Sequence, residues 1–77
     1  MEKELIEFLA KKLVDNPDAV DVNVIEGEKS VVIELRTAPE DIGKVIGKQG
    51  RIAKAIRTLL GAVSVKSGKH SVLEIID

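Results

Sequence analysis

The amino-acid sequence predicts a single α+β domain in which a three-stranded sheet carries its helices on one face. The chain has 77 residues, enough for one small domain with a thin core. Its apolar residues change from helical spacing to alternation and back, which gives the element order α-β-β-α-α-β. Because no repeat or Pro/Gly/Ser-rich linker interrupts this order, we assign residues 1–77 to one domain whose helices cover one sheet face.

The first element is predicted to be a helix from Glu4 to Val14. Apolar residues recur there at three- and four-residue spacing, with Glu and Lys opposite them: Leu5, Phe8, Leu9 and Leu13. Because Pro17 disfavours helical backbone at Asn16, the helix is expected to end before this pair. Phe8 is the only aromatic residue of the chain, and its place on this stripe predicts a core side chain.

Strands are predicted on both sides of a hairpin and at the end of the chain. Valines alternate with polar residues from Val20 to Val24, and apolar residues alternate again from Val31 to Leu35. The connection Glu26–Lys29 contains Gly27, which is able to adopt the positive φ of a tight hairpin turn. The β-branched stretch from Ser71 to Ile76 predicts the closing strand.

Two helices are predicted between the second and third strands. The stretch Ala38–Asp41 opens the first, because proline suits the first helical position and acids suit the positive helix end. Its buried side is expected to consist of Ile42, Val45 and Ile46. The second helix is predicted from about Arg51 to Ala62, with Gly61 near its end.

Charge is divided unevenly along the chain. Residues 1–41 hold 11 acidic and 5 basic residues, a net −6, whereas residues 42–77 hold 2 acidic and 7 basic residues, a net +5. The seven bases are Lys44, Lys48, Arg51, Lys54, Arg57, Lys66 and Lys69. A basic half of this kind attracts polyanions although the whole chain carries −1. A solvated face that balances the acidic half within the fold explains the charges equally well.

Composition excludes several classes of function. The absence of cysteine and the single histidine remove disulfides, thiol chemistry and zinc sites built from Cys or several His. We therefore expect no catalytic residues, no metal site and no cofactor. No apolar run approaches the roughly 20 residues that cross a bilayer, and the N-terminus does not have the pattern of a signal peptide. A cytoplasmic protein without a membrane partner is expected.

The segment Val45–Ile56 carries the chemistry of the sequence. Gly47 and Gly50 stand three residues apart between two helix-patterned stretches, where glycine lets the chain turn sharply and lets a ligand approach without meeting a Cβ atom. Unpaired N–H groups at the start of the second helix face this loop. With Lys48 and Gln49 between the glycines, the loop is predicted to clamp phosphates. The alternative is a simple turn between two helices.

Basic and apolar residues extend this site on both sides of the loop. The basic residues predicted to steer phosphates are Lys44, Arg51, Lys54 and Arg57, which with Lys48 form a border at spacings of four and three. The residues predicted to line an apolar groove for unstacked bases are Val45, Ile46, Ala53 and Ile56. Such a groove recognises single strands without aromatic residues.

The segment Val45–Ile56 resembles the K homology (KH) motif, and the element order is similar to the bacterial type II KH arrangement. Over essentially the whole chain, including Asp15–Val20 and Gly47–Thr58, the sequence resembles the KhpA family of stand-alone bacterial KH proteins. The resemblance implies RNA binding, a role as RNA chaperone or post-transcriptional regulator, and pairing with a larger KH-containing protein of the KhpB type. It also implies a link to cell-wall homeostasis and cell-length control.

One position departs from the KH pattern. Three residues after Gly50, where the motif has a large aliphatic residue, this chain has Ala53, with Ile52 one place earlier. The shift predicts Ile52 in a dimer contact beside the loop, unless a small helix rotation buries it. We therefore expect a single-stranded RNA-binding domain that dimerises with itself or with a KhpB-like partner. The alternative is a protein-docking module on the same scaffold that binds little RNA.

Overall fold

The computed structural model describes residues 2–77, apart from the side chains at positions 66 and 67. Among these residues the helices and strands in chain order are α1 (Glu2–Leu13), β1 (Asp21–Glu26), β2 (Ser30–Arg36), α2 (Ile42–Ile46), α3 (Arg51–Ser67) and β3 (His70–Ile76). Short 3-10 turns precede β1, α2 and α3. The predicted order α-β-β-α-α-β is confirmed.

The sheet has the strand order β1-β2-β3, with β2 at its centre. β1 lies antiparallel to β2 and places Val22 opposite Leu35. β3 lies parallel to β2 and places Leu73 opposite Ile33. Parallel neighbours need a crossover connection, which α2, the following loop and α3 provide. The loop of interest is therefore part of the crossover.

The core lies between one face of this sheet and the helices, as predicted. Its completely buried apolar residues are Ile6 and Ala10 of α1, Ile33 and Leu35 of β2, Val45 of α2 and Leu60 of α3. Along β2 the alternate residues at positions 32 and 34 are only half-buried, because they face the side of the sheet that no helix covers. The prediction of a type II KH fold with helices on one face is confirmed.

Helix α1 turns a different side to the core than predicted. Ile6 and Ala10 are fully buried, whereas Phe8 is 59 % exposed, so the prediction of Phe8 as a core residue is wrong. Successive residues are about 100° apart around a helix, which places Phe8 about 200° from Ile6. Its ring lies instead under Lys12, with Nζ 5.5 Å from the ring centroid.

Other differences concern the bounds of elements and one turn. α3 continues to Ser67, five residues beyond the predicted end, so Gly61 lies inside the helix. The helix ends at Gly68, whose left-handed backbone (φ 75°) directs its N–H to the Ser64 carbonyl at 3.0 Å. Positive φ is not used at Gly27, where the hairpin closes through the Gly27 N–H and the Ser30 carbonyl at 2.8 Å.

Candidate nucleic-acid interface

The G-x-x-G loop (Gly47–Gly50) is a tight turn built from left-handed backbone. The φ angles are 79° at Gly47, 58° at Gln49 and 75° at Gly50. The Gly50 N–H donates to the Gly47 carbonyl at 3.0 Å and closes the turn. Residues with side chains rarely adopt positive φ, so glycine is needed at both ends and Gln49 carries some backbone strain.

The two glycines of the loop have different surroundings. A Cβ atom at Gly47 would lie 2.6 Å from Cγ1 of Ile52, which leaves no room for a side chain. A Cβ atom at Gly50 would meet no atom of its surroundings within 4 Å. Gly47 therefore packs the loop onto α3, while Gly50 leaves open space at the start of that helix.

The basic side chains of the loop and of the first turn of α3 point to solvent. Lys48, Arg51 and Lys54 are all exposed, and within residues 2–77 neither lysine forms an ion pair. The Arg51 Nη2 donates to Gln49 Oε1 at 3.4 Å, which draws the guanidinium toward the loop. Positive charge thus collects around the N-terminus of α3, where the helix dipole already favours an anion.

Two of the predicted phosphate-steering residues have protein partners. The Arg57 Nη2 donates to the Leu73 carbonyl of β3 at 3.4 Å. Lys44 Nζ lies 3.3 Å from Asp15 Oδ2 and 3.6 Å from Asp41 Oδ1. The hydrogen bond and the charge of Asp15 raise the pKa of Lys44, so the ammonium stays charged but its field is shared with two carboxylates.

Three of the four predicted groove residues are closed to solvent. Val45, Ala53 and Ile56 are at most 4 % exposed, whereas Ile46 is 37 % exposed. Val45 and Ile56 belong to the hydrophobic core of the domain. The expectation that all four form an open surface differs from the structure in this respect. Their part in RNA binding stays a prediction.

Sequence reasoning missed an apolar groove between α1 and α3. The α1–α3 groove encloses about 340 Å³ and is lined by Leu9, Lys12, Leu13, Arg51, Ile52, Ala55, Ile56 and Leu59. Ile52 is half-buried in the wall of this groove and packs against the core, so its side chain is neither fully exposed nor fully buried. Leu59 is 47 % exposed and Leu13 37 %. The available signal was the number of apolar positions on these two helices.

Clusters of metal-ligating side chains and membrane-spanning helices are both absent from the part of the chain that the structure describes. Across residues 2–77, His, Asp and Glu side chains do not gather in groups of three or more that could hold a metal ion. Over the same residues, none of the helices has the length and apolar character to span a membrane.

A β-α-α-β unit with a G-x-x-G loop between its two helices, preceded by a helix and an antiparallel strand, defines a KH domain of the type II order. The family model for the KhpA/KhpB KH domain matches residues 3–75, and the chain belongs to this family. It is a family of KH domains and not of enzymes.

Two relatives that match nearly the whole chain are named RNA-binding protein KhpA. The chain is 63 % identical over 73 residues to RNA-binding protein KhpA of Caldanaerobacter subterraneus subsp. tengcongensis, covering 95 % of this chain and 97 % of the relative. It is 61 % identical over 74 residues to RNA-binding protein KhpA of Clostridium acetobutylicum, covering 96 % and 99 %.

A solved structure shares the fold. A variant of Era from Aquifex aeolicus bound to GDP.AlF4- superposes with a TM-score of 0.66 at 21 % identity, over 96 % of this chain. The chain spans only 29 % of that Era chain, so the likeness concerns one domain of a longer protein.

Proposed function

We propose that the protein binds single-stranded RNA through the G-x-x-G loop. The observation that carries the proposal is the geometry of the loop, which presents exposed Lys48 and open space at Gly50 directly before the N-terminus of α3. An RNA phosphate at this position meets backbone N–H groups, the positive helix end and a nearby ammonium group. The name RNA-binding protein KhpA, carried by relatives about 60 % identical, supports the proposal.

The surrounding residues have graded roles in this proposal. Lys48, Arg51 and Lys54 supply charge to successive phosphates, and Gln49 orients Arg51. Ile46 offers an apolar contact for a base beside the loop. Because Lys44 and Arg57 already have partners within the fold, they contribute less to the attraction of RNA than their charges alone suggest.

A titration of fluorescently labelled single-stranded RNA at two salt concentrations tests this function. Binding that weakens as salt rises is expected, since phosphate contacts release counterions from the strand. No binding, or binding indifferent to salt, would favour the protein-docking module, the second candidate. The specific observation behind that candidate is the α1–α3 groove, which offers an exposed apolar surface beside the loop.

We further propose that the protein acts as a dimer, either with itself or with a KhpB-like KH protein. The α1–α3 groove supports this proposal, because Leu59 and Ile52 contribute to one apolar surface beside the loop. Two joined domains hold two stretches of one RNA, which raises avidity without any new contact. The groove and the loop adjoin at Arg51 and Ile52, so the proposed dimer contact lies beside the RNA-binding site.

The cellular part of the proposal rests on the family resemblance. We propose a cytoplasmic RNA chaperone or post-transcriptional regulator that influences cell-wall homeostasis and cell length. Its test is a deletion strain complemented by the wild type or by a chain with an inactivated loop. Restoration of cell length by both chains would separate the cellular role from RNA binding.

A further inference from the structure

Asp41 is a buried carboxylate at the start of the helix that carries the loop. It is 1 % exposed and, among the side chains that the structure describes, the only charged or polar one that is buried. Its Oδ2 accepts the backbone N–H of Asn16 at 3.0 Å, a contact across 25 residues of sequence. Its Oδ1 accepts no hydrogen bond, and the nearest cation is Lys44, at 3.6 Å.

This carboxylate does not cap its own helix. Asp41 precedes α2, yet its side chain makes no hydrogen bond to a backbone N–H of that helix. A buried carboxylate is costly unless it is paired and hydrogen-bonded, so its burial requires another contribution to the fold. The contact it does make leads away from α2, to the turn that follows α1.

Helix α2 depends on such contacts for its position. It has five residues, too few to be stable as an isolated helix, and Val45 is its one buried side chain. The G-x-x-G loop begins directly at its C-terminal end with Gly47. Lys44, on the same helix, reaches back to Asp15 beside Asn16, so one ionic and one hydrogen-bonded contact join α2 to this turn.

We infer that Asp41 is a positioning residue for the G-x-x-G loop, with Lys44 as its counter-ion. By holding α2 against the turn after α1, Asp41 keeps the loop in the one arrangement that accepts a phosphate. RNA then meets a loop already in its binding conformation, and no affinity is lost to populating that conformation. The inference rests on the proposed RNA-binding function and assigns Lys44 to the scaffold rather than to a phosphate.

The first test is Asp41→Ala, measured by RNA titration over a range of salt concentrations. Affinity is expected to fall at least about fivefold, because the loop spends less time in its competent arrangement. The slope of log K against log salt should stay that of the wild type, since no phosphate contact is removed. Lys48→Ala, in contrast, should make the slope shallower by about 0.7. NMR amide shifts of Gly47 and Gly50 should move in Asp41→Ala.

A control separates positioning from a general loss of stability. Val31→Ala removes buried apolar volume from β2, away from the loop, and lowers the unfolding midpoint. It should leave RNA affinity within about twofold of the wild type at temperatures where it stays folded. If Val31→Ala and Asp41→Ala lose RNA affinity in the same proportion to their loss of stability, the positioning role of Asp41 is overturned.

A rescue variant keeps the test decisive even if Asp41→Ala does not fold. Asp41→Asn combined with Lys44→Met retains an oxygen for the Asn16 N–H and removes both charges together. It should bind RNA more tightly than Lys44→Met alone, which leaves the buried carboxylate unpaired. Equal losses in Lys44→Met and the double variant, with a shallower salt slope in both, would show a phosphate contact and overturn the inference.

Failure of the inference and failure of the proposed function look different. If the wild type binds RNA and a folded Asp41→Ala binds equally well, the positioning role is wrong while RNA binding stands. If the wild type binds no RNA, the proposed function is wrong. The glycine amide shifts then still decide the inference, since unchanged Gly47 and Gly50 signals in Asp41→Ala would overturn it.

Discussion

Gly47 and Ile52 are in contact so close that the loop and α3 form one packed unit. A Cβ atom of residue 47 would lie 2.6 Å from Cγ1 of Ile52 and 2.9 Å from the Ile52 backbone nitrogen, so Ile52 already fills that space. Ile52 also packs on the core. The conformation of the loop is thereby tied to the position of α3, and Ile52 belongs to the loop's support as well as to the groove.

The two glycines of the loop are therefore predicted to differ in their tolerance of alanine. Gly47→Ala adds a steric clash to a backbone region that only glycine adopts readily, so it should destabilise the domain by roughly 2–4 kcal/mol. Gly50→Ala places a methyl group in open space and bears only the left-handed strain, about 1 kcal/mol. Urea unfolding of both variants measures the difference. Equal losses would show that the Ile52 contact does not restrict residue 47.

Salt dependence gives a second prediction, about the number of phosphates held. One KH site contacts about four nucleotides, so a lone domain should bind with a Kd in the micromolar range or weaker. Contact with roughly two to three phosphates predicts a slope of about −2 for log K against log salt. Titration of a short single-stranded RNA at several salt concentrations measures it. A slope near zero would show that the charged side chains of the loop do not contribute to RNA binding.

The loop and the order of elements could be predicted because their signals are local. Glycine at positions 47 and 50 is required by positive φ, and alternation of apolar residues is a property of each strand by itself. The prediction that α3 ends near Gly61 is wrong, because the end of a helix depends on the residues that follow. Gly61 resembles a helix end in sequence, but Ala62 and the following residues continue the helix to Gly68, where positive φ ends it.

The errors concern features that depend on contacts between distant parts of the chain. Phe8 has the largest apolar side chain of α1, yet it is exposed while the small Ala10 lies in the core. In the sequence, Asp41 resembles an acidic residue that stabilises the start of a helix. Its hydrogen-bond partner Asn16 is 25 residues away, so the local sequence does not indicate it. Lys44 looks like one more member of a basic border for the same reason. Local periodicity contains no information about such pairings.

A third prediction concerns the α1–α3 groove as the dimer contact. Leu59→Asp places a charge in the middle of this apolar surface, where association would have to bury it without a partner. Since Leu59 is 47 % exposed, the monomer should remain folded while the dimer dissociates. Sedimentation of the variant, with circular dichroism to confirm the fold, measures the outcome.

Val65→Asp is the matched control for the groove. Val65 lies on the same helix, is 81 % exposed and does not line the groove, so it receives the same charge outside the surface in question. The control should sediment as the wild type does. A Leu59→Asp chain that remains a folded dimer would exclude the groove, and with it the contact expected for Ile52.

The last prediction decides the function of the loop. Replacing Lys48 and Gln49 together by Asp reverses its charge, so a phosphate approaching Gly50 meets repulsion where the helix end would attract it. Both side chains are exposed, and Asp tolerates the left-handed backbone of residue 49 better than Gln, so stability should change by no more than about 1 kcal/mol. RNA affinity should fall at least about tenfold, or roughly 1.4 kcal/mol, in a fluorescence titration.

The hairpin between β1 and β2 supplies the control for this variant. Replacing Lys29 and Ser30 by Asp makes the same change in net charge on two other exposed residues, outside the loop. If affinity followed net charge alone, both double variants would lose it equally, because the long-range field of the domain would be the same. A local clamp predicts a loss confined to the loop variant. A folded loop variant that binds RNA as well as the hairpin variant would refute the clamp and leave protein docking as the better account of the domain.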